Sequence, residues 1–125
     1  MPNLLYVLIG GAAGAGLRYE AGRLALARLG SGFPWATLGV NLAGGLAMGV
    51  LAGTMAAEGR AERPLWLLLG VGLLGGFTTF SAFSLDLFAM IERGQPGLAF
   101  GYALGSVVGA LALLYGGWWA ARAWL

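Results

Sequence analysis

Between residues 75 and 86 the chain reads GGFTTFSAFSLD, a stretch in which phenylalanines, hydroxyl side chains and a glycine pair interrupt an otherwise apolar run. If the helical period holds through 77–86, Phe77, Phe80 and Phe83 form one stripe, with Thr78, Ser81 and Ser84 in a second beside it. Aromatic ring edges carry partial positive charge. Set beside hydroxyls and an amide N–H, with Thr79 adding one more hydroxyl, they suit a small anion. Two other pairs, Thr37 with Asn41 and Tyr102 with Ser106, lie one helical turn apart and offer further neutral donors. The chain has no lysine, and no arginine falls near the middle of the segments that carry these donors. An anion there would not be trapped by a full opposite charge, and conduction requires binding weak enough to release.

The same stretch permits a second chemistry. Gly75-Gly76 followed by Thr78-Thr79 can break a helix, because glycine is flexible and β-branched residues are poor helix formers. A broken turn exposes carbonyl oxygens, which suit a hard monovalent cation. Two copies of the chain meeting at a twofold axis would complete a symmetric oxygen cage.

These groups must be positioned inside a membrane. Of 125 residues, 59% are hydrophobic and 10% charged, and the mean hydropathy is +0.82, beyond the usual mix of a soluble domain. Charges divide the sequence into uncharged runs at 1–17, 29–57, 64–85 and 94–121. A spanning helix needs about 20 apolar residues. The last three runs qualify outright; the first does so if Arg18 and Glu20 lie near a membrane face. The reading is an all-α integral membrane protein, one domain over 1–125, with transmembrane helices at about 4–26, 34–57, 64–91 and 96–122, the third broken near its middle. The start MPNLLYVLIGGAAG lacks a basic region and reads as the first helix, not as a cleaved leader. The absence of histidine and cysteine removes the usual proton relays and thiolate metal sites.

All seven basic residues are arginine. Four spans would put Arg60, Arg63 and Arg122 on one side, and Arg28 and Arg93, with Arg23 and Arg18 close by, on the other. The positive-inside rule needs an excess on one side. Either a small bias lies at the helix ends, or copies insert both ways and pair as an antiparallel dual-topology homodimer, the two-chain equivalent of an inverted repeat. The 24 glycines recur at four-residue spacing, as Gly10 with Gly14, Gly45 with Gly49, Gly72 with Gly76, and Gly101, Gly105 and Gly109. Apart from Gly75 and Gly76, they are assigned to close helix packing.

Three motifs carry a resemblance: GGAAGAGLRY at 10–19, GVNLAGG at 39–45 and GGFTTFSAFSLD at 75–86. Together they resemble the small bacterial and archaeal fluoride channels, the Fluc proteins, along all four expected helices. The resemblance implies passive, fluoride-selective export across the cytoplasmic membrane of a prokaryote by a multi-pass protein, relieving fluoride toxicity, with no enzymatic activity. It implies an antiparallel homodimer with two fluoride pathways and a central structural sodium ion that is not transported. The partners implied are fluoride, the lipid bilayer and a second copy, with no nucleic acid. By motif, Phe80 and Phe83 turn ring edges to fluoride, Asn41 donates beside the pathway, and Thr79, Ser81, Tyr102, Ser106 and Thr37 continue it. The backbone carbonyls of Gly75 and Thr78 hold the sodium, and Arg18 sits at an aqueous vestibule. Ala82 and Ala110 replace hydroxyls that relatives carry. The alternatives are a proton-coupled small multidrug-type exporter, for which Glu20 between Arg18 and Arg23 is poorly placed, and a non-transporting assembly subunit, which would leave the aligned donors without a task.

Overall fold

The computed structural model describes residues 2–55 and 59–124, and its regular elements there are all helical. Helix α1 runs Pro2–Leu29, α2 Trp35–Thr54, α4 Phe80–Glu92 and α5 Pro96–Trp124; between α2 and α4 lie a short 3₁₀ turn, Arg60–Glu62, a π-helix, Trp66–Leu74, and a single α-turn, α3, Gly75–Phe77. Prolines set the starts: Pro2 and Pro96 occupy first helical positions, where a missing N–H is not needed, and Pro34 immediately precedes α2. Glycines set the ends. Gly30 and Gly94 take φ of 78° and 77° just past α1 and α4. After α4, Gly94 N–H donates to the Ile91 carbonyl at 3.0 Å and Gln95 N–H to the Met90 carbonyl at 2.9 Å, closing the Schellman arrangement. Helix α2 stops earlier than its hydropathy suggests, because Met55 turns extended at φ −121°. Positions 56 and 57 of the expected helix lie outside the described residues.

Three stretches among the described residues are long and apolar enough to cross a membrane: Trp35–Thr54, Trp66–Glu92 and Pro96–Trp124. Helix α1 has the length, 28 residues, but Arg18, Glu20, Arg23 and Arg28 fall in its second half. Large apolar side chains on every long helix stay exposed, among them Leu8, Val50, Phe88, Leu111 and Tyr115, as expected where lipid is the solvent.

Two glycine seams hold the bundle. On α1, Cβ atoms at Gly10 and Gly14 would collide with the backbone carbonyls of Leu68 and Leu73, and one at Gly76 would sit 2.6 Å from the Gly11 carbonyl. On α2, a Cβ at Gly45 would fall 2.5 Å from the Ala110 carbonyl and one at Gly53 2.8 Å from that of Trp118; Gly49 is closed in the same way by Leu114. Backbone therefore lies against backbone along both seams, as membrane helices lacking a hydrophobic drive for association require. The α5 stripe divides. Gly109 meets Leu42, but Gly101 and Gly105 have nothing within 4 Å among the described residues, so the packing role expected of them is not exercised there.

Candidate functional site

The third hydrophobic stretch is interrupted, but one step later than glycine flexibility alone suggests. Gly75 and Gly76 remain helical, and the extended residues are Thr78 (φ −96°, ψ 148°) and Thr79 (φ −149°, ψ 133°). Both lie in the β region that β-branched side chains favour. Thr78 closes the N-terminal half: its N–H and its Oγ1 both donate to the Leu74 carbonyl, at 3.1 and 3.0 Å. The carbonyls of Gly75, Gly76 and Phe77 then have no helical donor ahead of them. The break also divides the expected stripes. Phe77 stays with the first half near α1 and Gly44, Thr78 spends its hydroxyl on Leu74, and Ser84 is exposed. Only Phe80 and Phe83 remain paired, ring centroids 5.9 Å apart and tilted by 54°.

Helix α4 begins abruptly. Thr79 occupies the capping position yet makes no side-chain cap bond, because its Oγ1 meets Ser81 Oγ at 3.0 Å instead. The first N–H groups of α4 are left without intrahelical acceptors, at the positive end of its dipole. They adjoin a cleft of about 340 Å³ lined by Asn41, Thr78, Thr79, Phe80, Phe83 and Ser106, with Val107 and Ala110. No charged side chain among the described residues lines it. Ser106 is 2% exposed and its hydroxyl has no hydrogen-bond partner among the described residues, although a buried hydroxyl ordinarily finds one. Phe83 is 7% exposed and Phe80 78%, so one ring is fixed in the wall and the other stands free at the opening.

One turn along α5 from Ser106, Tyr102 is buried and donates its hydroxyl to Asp86 Oδ2 at 3.0 Å. Its ring lies against Phe83 at 5.1 Å, tilted by 56°, and meets Phe33 edge-on at 5.4 Å and 80°. Phe33 continues to Trp35 at 4.6 Å. Asp86, Phe33 and Trp35 line a second hollow of about 200 Å³, which also takes in Arg93 and the α1–α2 connection. Five aromatic rings thus run from the break to this outer hollow, with the Tyr102–Asp86 bond between the two spaces.

The structure therefore gathers Asn41, Thr78, Thr79, Phe80, Phe83 and Ser106 around one cleft, with Ser81 hydrogen-bonded to Thr79 at its edge. Thr37 and Tyr102 are buried farther along. Gly75 lies on the other side of the break, and half-buried Arg18 lines neither hollow. Sequence reasoning did not single out Phe33; its place in FPW, which leads into α2 at Trp35, was the available signal. The Asp86–Tyr102 bond joins residues 16 apart on separate helices, and no local pattern encodes it.

An all-helical chain with three membrane-length apolar stretches and an uncharged, donor-lined cleft is a multi-pass membrane protein. A family model described as CrcB-like protein, Camphor Resistance (CrcB), matches residues 5–118, and the chain belongs to that family. It is 54% identical over 123 residues to a protein of Phenylobacterium zucineum named Fluoride-specific ion channel FluC, covering 98% of this chain and 97% of the relative. Proteins of the same name from Sphingopyxis alaskensis and Novosphingobium aromaticivorans are 52% and 54% identical, covering 89% and 92% of this chain and 88% and 92% of their own lengths.

Proposed function

We propose that this protein is a fluoride-selective channel that lets fluoride leave the cell passively through the cytoplasmic membrane. The observation that carries the reading is the start of α4: an uncapped helix N-terminus opening into a cleft where the buried Ser106 hydroxyl has no partner among the described residues. Backbone N–H groups, the Asn41 amide and the Ser106 hydroxyl are donors without net charge. They can replace part of an anion's hydration without holding it permanently, and fixed donors in a narrow space favour the smaller anion. The Phe80 and Phe83 ring edges complete the wall. The names of the relatives point the same way.

The finer features belong to this proposal. Helix α1 is the fourth span, with Arg18 toward a vestibule, and the whole chain is one transmembrane domain. Two copies pair in antiparallel, dual-topology fashion, as the even division of arginines allows. The Gly75 carbonyl, freed at the break, and that of the extended Thr78 fit a hard cation in kind: doubled across a twofold axis, they would hold a structural sodium ion that neutralises the oxygens there. The proton-coupled exporter has no observation in its favour, and Glu20 is tied to Arg23 at 2.8 Å on an exposed face. The test is efflux from liposomes loaded with fluoride and read by a fluoride electrode, with chloride in parallel. Rapid fluoride release without chloride release is expected; fluoride release no faster than from empty vesicles overturns the reading.

A further inference from the structure

We propose that Gly44 is a positioning residue for the break: its missing side chain is the seat of the Thr78 methyl group, and that contact fixes where α4 begins. A Cβ built at Gly44 would stand 2.5 Å from Thr78 Cγ2, with Phe77 Cδ2 next at 4.0 Å. Gly44 is buried and lies three residues beyond Asn41, on the same face of α2. Asn41 and Thr78 both line the cleft, so this face of α2 presents a donor to the pathway and an empty seat to the threonine that ends α3.

The seat differs from those along the glycine seams. At Gly45 and Gly49 the obstructing atoms are backbone of Ala110 and Leu114; at Gly44 the nearest is a single side-chain methyl. That methyl cannot swing aside freely. Thr78 χ1 is held by the Oγ1 bond to the Leu74 carbonyl at 3.0 Å, and rotating the methyl away gives up that bond. An added methyl at position 44 therefore moves the Thr78 backbone, and with it both the carbonyls behind the break and the N–H groups ahead of it.

The inference rests on the channel reading for its consequence but not for its contact, and the experiment separates the two. Full-length wild type, Gly44→Ala, Thr78→Ser and the double variant are compared in fluoride-loaded liposomes and by thermal unfolding in detergent. Thr78→Ser removes Cγ2 and retains the hydroxyl. Gly44→Ala should slow fluoride efflux about tenfold, the rate equivalent of a modest overpacking clash, and lower the fluoride-over-chloride ratio. The double variant should return to within about twofold of Thr78→Ser alone, the signature of a coupled pair. Losses that simply multiply overturn the proposal, as does slower efflux with wild-type selectivity, which would reduce Gly44 to packing. If Gly44→Ala yields no folded protein, the double variant decides: a folded one supports the contact and an unfolded one refutes it. If wild type itself releases no fluoride, the channel reading fails, while coupling between positions 44 and 78 in the unfolding midpoints still judges the contact.

Discussion

The two halves of the broken third segment are held by opposite means. The first, Trp66–Phe77, is clamped backbone to backbone, with Gly72 and Gly76 closed onto Gly10 and Gly11 of α1. The second, Phe80–Glu92, is held by side chains: Phe83 on Tyr102 at 5.1 Å and Asp86 accepting from Tyr102 at 3.0 Å. A glycine clamp has no adjustable part, because nothing on either side can rotate. A side-chain contact can rearrange through rotamers and leaves room for clefts between the groups. The pairing suits a site that needs a fixed edge and a wall capable of small adjustments: the first half sets where the break falls, and the second presents donors across it.

The largest effect should come from challenging the clamp. Gly14→Leu drives a side chain into the Leu73 carbonyl, and no rotamer change can relieve a clash with backbone. The expected result is loss of monodisperse protein, or destabilisation beyond the roughly 1–3 kcal/mol of ordinary overpacking. A folded Gly14→Leu protein of wild-type stability would show that the two halves do not differ in rigidity. Next in size is Tyr102→Phe, which keeps both ring contacts and removes the bond to Asp86. A hydrogen bond to a charged group contributes about 1.5–3 kcal/mol, so a lower thermal midpoint is expected in a protein that still folds. An unchanged midpoint would mean that α4 is held by the rings alone.

How far the sequence revealed this arrangement depends on the kind of contact. Hydropathy located the long helices, because that signal is local; the prolines and glycines at their ends are equally local signals that the charge-free runs did not use. The small-xxx-small spacing marked both seams correctly at Gly10, Gly14, Gly45 and Gly49. At Gly101 and Gly105 it meets no counterpart among the described residues of the chain, since spacing records the capacity to pack and not what stands opposite. The break was legible in GGFTT, but its placement on the threonines was not, because that depends on Thr78 bonding back to Leu74 and on an empty seat across the bundle at Gly44. The phenylalanine stripe assumed an unbroken period, and the extended Thr78 and Thr79 removed Phe77 from it. The Phe33–Tyr102–Asp86 connection is tertiary throughout.

A third substitution sharpens the contrast from the side of the cleft. Ser106→Ala removes a buried hydroxyl that has no partner among the described residues. A hydroxyl serving structure would cost stability on removal, whereas an unsatisfied one costs little or even relieves a desolvation penalty. The expected outcome is an unchanged or slightly higher thermal midpoint, with fluoride efflux reduced about tenfold, equivalent to one lost donor of about 1.4 kcal/mol at the transition state. Lost stability with wild-type efflux would assign Ser106 to the scaffold and remove it from the pathway.

The smallest effect is expected where a glycine faces nothing. Gly105 shares α5 with Gly109 and Gly117, yet no atom of the described residues lies within 4 Å of where its Cβ would stand. Gly105→Ala should therefore clash with nothing in its own chain and should favour the helix slightly, by up to about 1 kcal/mol on the scale measured in water. The thermal midpoint should stay level or rise, in contrast to the collapse expected of Gly14→Leu. The same substitution tests what covers this face. If lipid covers it, efflux as well as stability survives, since a methyl group is as acceptable to acyl chains as a hydrogen. If a second copy lies close against it, the open space within one chain is occupied in the assembly, and Gly105→Ala should weaken association. Chemical crosslinking of the variant at decreasing protein-to-lipid ratio reads that directly, and a shift toward monomer would place Gly105 in an interface between chains, restoring to it the packing role that its spacing suggested.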